Sequence, residues 1–92
     1  MEKIEIKKEE QTENGWNFLI EVGDKEDKIK YSVTLDEGYW KKLTDSQYMP
    51  GELVRRSFKF LLGREPKESI LKEFNLREIS RYFSEYEDEM KK

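Results

Sequence analysis

The chain has 92 residues, with 18 Lys and Arg against 21 Asp and Glu, a net charge of −3 and a pI near 5.2. It holds no histidine and no cysteine, which excludes a triad base of the usual kind, a thiolate nucleophile, a zinc finger and a disulfide framework. Mean hydropathy is −1.03 and 42% of residues are charged, yet 13% are aromatic, more than a solvated chain carries, and the length suits a single domain over residues 1–92.

The opening Met1-Glu2-Lys3-Ile4-Glu5 has no apolar signal stretch. The longest apolar runs, Phe18-Leu19-Ile20 and Phe60-Leu61-Leu62, fall far short of the ~20 residues a membrane helix needs. The expectation is a soluble cytoplasmic protein with no membrane partner. Up to Leu35 the hydrophobic period is two. Ile4 and Ile6, then Trp16, Phe18, Ile20 and Val22, then Ile29, Tyr31, Val33 and Leu35 alternate with polar neighbours, the pattern of a half-buried antiparallel sheet. Gln11–Gly15 and Gly23–Asp27 separate the runs with turn chemistry, and Asn14-Gly15 is a strong hairpin signal. A three-stranded antiparallel meander over residues 1–35 follows.

From residue 36 to 90 the period becomes helical. A short helix from Asp36 or Glu37 to Leu43 carries Tyr39, Trp40 and Leu43. Pro50 suits the first turn of the next helix, whose stripe is Leu53, Val54, Phe58, Leu61 and Leu62, and Gly63 is placed to end it in a left-handed conformation. Pro66 opens a third helix with Ile70, Leu71 and Phe74. Asn75 and Glu78 have capping-box spacing ahead of a last helix with its seam at Leu76, Ile79, Phe83, Tyr86 and Met90. The fold class is therefore α+β, a three-stranded meander followed by three or four helices packed on one face of the sheet. Its core should bury Trp16, Phe18, Ile20, Tyr31, Val33, Phe58, Leu61, Ile79 and Phe83.

The function classes divide on charge and aromatics. All five arginines, Arg55, Arg56, Arg64, Arg77 and Arg81, lie in the helical part. In a basic band from Lys41 to Arg81 that includes Lys59 and is interleaved with Tyr39, Trp40, Tyr48 and Tyr82, they could contact phosphates and stack bases. Most also have a carboxylate at intrahelical spacing, such as Glu52 before Arg56 and Glu73 before Arg77, which is the ordinary state of a solvated helix face. A helix-turn-helix over Ser69–Phe83 fails because only Asn75 separates apolar positions Phe74 and Leu76, too short a turn. Tyr39, Trp40 and Tyr48 beside Met49-Pro50-Gly51 have the residue types of a protein interface, or of a capped core.

Catalysis finds no support. The carboxylates fall on polar faces or in turns, Ser57 has no base beside it, the five glycines are isolated, and Asp24–Asp27 lacks the calcium-loop pattern. No metal and no cofactor is implied. The stretch from Val33 through Tyr86 resembles short prokaryotic proteins of unknown function with a strand–helix–helix layout, a resemblance that implies no activity and no site. The reading is a non-enzymatic protein-interaction or regulatory module, with Tyr39, Trp40, Tyr48, Arg55, Arg56 and Lys59 as candidate contact residues. Its partner is a protein, another one or a second copy. Nucleic-acid binding through the basic band is the alternative. Charges at Lys7, Lys8, Glu9 and Glu10 defend the first strand's edge, so a homodimer would form on the third strand, near Ser32 and Thr34.

Overall fold

A computed structural model describes residues 2–92 as an α+β fold. Strands β1 (Ile4–Gln11), β2 (Gly15–Asp24) and β3 (Asp27–Asp36) pair antiparallel in sequence order, as the alternation requires. Phe18, Ile20 and Val22 of β2 line up with Val33, Tyr31 and Ile29 of β3 on one face. That face is packed by helices, and the alternate positions, including Asn17, Ser32 and Thr34, face solvent. A bulge at Lys7 shifts the β1 register, so Glu9 and Gln11 end opposite Phe18 and Trp16.

The Asn-Gly pair does not form the mirror-image turn its sequence suggests, since neither residue has a positive φ. Glu13 and Asn14 make the turn, closed by Thr12 N–H donating to the Gly15 carbonyl at 2.8 Å. Glycine is required at 15 for a different reason: a Cβ there would collide with the Leu35 carbonyl of β3. Gly23, at φ +129°, combines a left-handed conformation with the same crowding against Asp27.

The meander is corrected by a fourth strand. Glu73–Asn75 forms β4, which pairs parallel to β3 with Ser32, Val33 and Thr34 opposite Glu73, Phe74 and Asn75, making a mixed sheet of order β1-β2-β3-β4. The helix expected to carry Ile70, Leu71 and Phe74 is reduced to one 3₁₀ turn at Lys67–Ser69. Two demands override the helical period. The open edge of β3 needs partners, and Ser32 N–H finds the Lys72 carbonyl at 2.7 Å. Asn75 caps the following turn as expected, its side chain accepting from Arg77 N–H while Glu78 accepts from Asn75 N–H. A capping residue must be extended, here φ −91° and ψ 139°, so no helix can run through it. The β3 edge proposed for a second copy near Ser32 and Thr34 is thus already occupied.

Helices α1 (Glu37–Thr44) and α2 (Pro50–Leu62) form as read. Gly63 does not turn left-handed, however. It stays in the right-handed region, and Glu65, which precedes Pro66, is where the α-conformation becomes unfavourable. The left-handed residues are instead Asp45 and Ser46, after α1. There the Thr44 hydroxyl donates to the Trp40 carbonyl at 2.8 Å and accepts from Ser46 N–H at 3.0 Å. The last helix is broken in two, α3 (Ile79–Tyr82) and α4 (Tyr86–Met90), with Phe83 extended between them. Its apolar seam still points inward: Leu76, Ile79, Tyr86 and Met90 are buried.

Around Phe58 the core stacks Tyr31 at 5.2 Å and Phe74 at 6.1 Å between ring centres. Trp16 and Phe83, expected to be buried, are only half-buried. Trp16 lies at the open end of β2, edge-on to Trp40, and Phe83 sits at the break between α3 and α4, edge-on to Phe60.

Candidate docking groove

The sequence-derived contact residues do not converge on one surface. Tyr39 is buried, and its hydroxyl donates to the Glu87 carboxylate at 2.8 Å. Burial first, and then that carboxylate, push its ionisation above the ordinary tyrosine range, while the same hydrogen bond holds Glu87 below the ordinary carboxylate range. Trp40 and Tyr48 are half-buried and structural: Trp40 Nε1–H donates to the Tyr48 carbonyl at 2.9 Å, and the Tyr48 hydroxyl to the Met90 carbonyl at 2.7 Å. Arg56 lies 3.9 Å above the Tyr48 ring and pairs with Glu52 at 3.0 Å. Arg55 is half-buried and donates to the Ile4 carbonyl at 2.6 Å. Of the six, only Lys59 is exposed.

Several more cations of the basic band are likewise engaged, although Arg81, exposed beside Tyr82, makes no ion pair among the described residues. Arg64 pairs with Glu85 at 3.2 Å, Arg77 with Asp36 at 3.6 Å and Lys42 with Glu87 at 3.5 Å. Lys67 is the most enclosed cation. Its ammonium sits between Asp27 at 2.9 Å and Glu2 at 3.1 Å, and those hydrogen bonds raise its pKa well above the ordinary lysine range. Its carbonyl accepts from the Tyr31 hydroxyl at 2.6 Å. This cluster flanks a depression of about 490 Å³ bordered by Ile4, Lys59, Leu62 and Pro66. Charges of both signs meet there, with Lys67 neutralised by Asp27 and Glu2, while Lys59 and Glu65, which also borders this depression, make no ion pair among the described residues.

A second depression, of about 390 Å³, is chemically different. Its floor is Leu61, Ile70, Phe74 and Ile79, all buried. Leu71, on the extended segment before β4, and Tyr82, at the end of α3, stand beside it at 52% and 71% exposure. Met49, the remaining large exposed apolar side chain among the described residues, is not part of this lining. Three local features build the groove. The 3₁₀ turn after Pro66 delivers Ile70 and Leu71 in extended conformation, so consecutive apolar side chains point to opposite sides, one in and one out. The Asn75 capping box starts the 3₁₀ turn Leu76–Glu78, which runs straight into α3 and sets Ile79 beneath the groove and Tyr82 at its rim. Finally, the break at Phe83 turns that ring toward Phe60 and leaves its other side on the groove.

Sequence reading missed both rim residues. It placed Leu71 in a core helix and Tyr82 in the basic band. Signals were available, since Tyr82 falls outside the seam of Leu76, Ile79, Phe83, Tyr86 and Met90, and Ile70-Leu71 cannot both face inward on one extended segment. Among the described residues no three acidic side chains converge so as to hold a metal ion, and no helix is long and apolar enough to cross a membrane. Compared with protein-family models, with curated proteins and with solved structures, the chain matches none.

Proposed function

We propose that the protein is a small interaction module that docks an apolar segment of another protein in the groove between the Ile70–Phe74 segment and α3. The observation that carries this reading is that Leu71 and Tyr82, two large apolar side chains left in solvent, line the same depression. Exposed apolar surface of this kind costs solubility and is retained where a partner covers it. Aromatic residues at a groove's rim, with a buried apolar floor below, supply the anchoring contacts that dominate protein association. The outer sheet face offers no rival surface. It is polar and laced with ion pairs, among them Glu5–Lys7 at 3.4 Å and Glu21–Lys28 at 3.8 Å.

The test is a photo-crosslinking amino acid placed in turn at positions 71, 82 and, on the outer sheet face, 17, expressed in the native host. Discrete adducts from 71 and 82, identified as protein by mass spectrometry and lost on Leu71→Asp in the position-82 protein, are expected. An adduct pattern shared with position 17, or none at 71 and 82, contradicts the reading. Adducts removed by nuclease would put a nucleic acid in the partner's place.

A further inference from the structure

Resting on that docking reading, we infer that the groove takes a peptide segment whose apolar anchor is flanked on both sides by lysine or arginine. Among the described residues, the charged ones lining the groove are Glu65 and Glu78, both half-buried. They stand on different elements, Glu65 beyond the end of α2 and Glu78 at the start of α3. Neither has a cationic partner among the described residues, although each follows or precedes an arginine closely in sequence. Arg64, next to Glu65, is drawn away to Glu85 at 3.2 Å and to the Phe60 ring at 3.6 Å. Arg77, next to Glu78, is drawn to Asp36 at 3.6 Å and to the Tyr39 ring at 5.1 Å. One oxygen of Glu78 accepts from Asn75 N–H at 3.0 Å, which leaves the other unengaged.

An apolar occupant covering the groove strips water from both carboxylates. A neutral or acidic segment leaves them desolvated and unpaired, which is costly. Flanking cations remove that cost, so the two glutamates act as discriminators as much as attractors. At about 390 Å³ the groove lies near the lower end of the ~300–1,000 Å³ of typical ligand pockets, which suits anchor side chains more than a long helix. The aliphatic stems of lysine or arginine can cover Leu71 while their charged heads reach the rim, and Tyr82 offers a ring face to the same cations.

The experiment is selection of displayed random dodecapeptides on the immobilised full chain, with counter-selection on the Leu71→Asp/Tyr82→Ser protein. Both changes are at exposed positions, so the counter-selected protein keeps its fold. Clones that depend on the groove are expected to carry Leu, Ile, Met or Phe between basic residues. The synthetic consensus peptide should bind roughly tenfold more weakly to Glu65→Gln/Glu78→Gln, and more weakly as salt is added. Gln at 78 retains an acceptor for Asn75 N–H, and an unchanged near-ultraviolet circular dichroism spectrum verifies the fold. Groove-dependent clones with neutral or acidic flanks, or undiminished binding to the glutamine variant, overturn the charge assignment and leave the docking reading standing. If no clone depends on Leu71 and Tyr82, both fall together.

Discussion

The Ser57–Tyr86 contact gives an asymmetric prediction. Both side chains are completely buried, and the Ser57 hydroxyl lies 2.7 Å from the Leu53 carbonyl and 2.6 Å from the Tyr86 hydroxyl. A carbonyl can only accept, so the serine proton goes to Leu53 and Tyr86 donates to Ser57. Ser57→Ala therefore removes the hydrogen-bond acceptor of the buried phenol proton and strands it. Leaving such a donor unsatisfied costs about 1–3 kcal/mol. Tyr86→Phe removes the donor itself, and Ser57 keeps its bond to Leu53, so the cost is that of one net hydrogen bond, about 0.5–1.5 kcal/mol. In the double variant no phenol is left stranded, and its cost falls below the sum of the two singles. Urea unfolding of the four proteins measures the cycle, and each kcal/mol should lower the melting temperature of a domain this size by about 4–8 °C. Additive costs, or a larger loss from Tyr86→Phe than from Ser57→Ala, would refute the assignment of donor and acceptor.

Phe58→Ala, which empties the centre of the Tyr31–Phe58–Phe74 stack, should cost about 3–5 kcal/mol in chemical denaturation, and a loss below ~1 kcal/mol would contradict the two-layer core. Alkali should unfold the protein and ionise Tyr31, Tyr39, Tyr48 and Tyr86 together. Burial raises Tyr31 to about 12 and also raises Tyr39, Tyr48 and Tyr86, while hydrogen bonds to Asp27 and Glu2 raise Lys67. Groups with raised folded values contribute stability that is intact below their unfolded pKa, ~10, and is lost as pH climbs through the folded values. Tyrosinate absorbance from more than one of the five tyrosines rising near pH ~10 with an unchanged far-ultraviolet spectrum would count against this. Arg55→Met should open the edge of β1. The Lys3 carbonyl is taken by Gly23 N–H at 2.9 Å, so the Ile4 carbonyl points outward, where Arg55 covers it at 2.6 Å. Sedimentation of the variant should then show stronger concentration-dependent association than the parent chain, and equal behaviour of the two would remove Arg55 as an edge guard.

The three long strands were legible because each buries one face only. The alternation of Phe18, Ile20 and Val22, or of Tyr31, Val33 and Leu35, admits a single register and a single inward side. The Pro50 helix was legible for the analogous reason at period 3.6. β4 was not, because three residues are too few to display a period and Phe74 also fits a helical stripe. What decides its conformation is the bonding need of β3, far away in sequence, together with the extended backbone that Asn75 must adopt to cap the 3₁₀ turn before α3. The break at Phe83 has no proline or glycine to announce it, and the spacing of Ile79, Phe83 and Tyr86 is that of an unbroken helix. The groove follows from these two unannounced features. Its acidic rim could not be read either, since Glu65 and Glu78 each have an arginine next door in sequence and only the folded chain shows both arginines turned elsewhere.

A titration of the isotopically labelled protein with a basic, groove-selected peptide, followed by amide chemical shifts, tests the docking groove most directly. The amides of Ile70, Leu71, Phe74, Ile79, Tyr82 and Phe83 should move together along one saturable curve, with Asn17, Ser32 and Thr34 on the outer sheet face still. Shifts centred on that outer face or along the edge of β1, with the α3 amides unmoved, would contradict it.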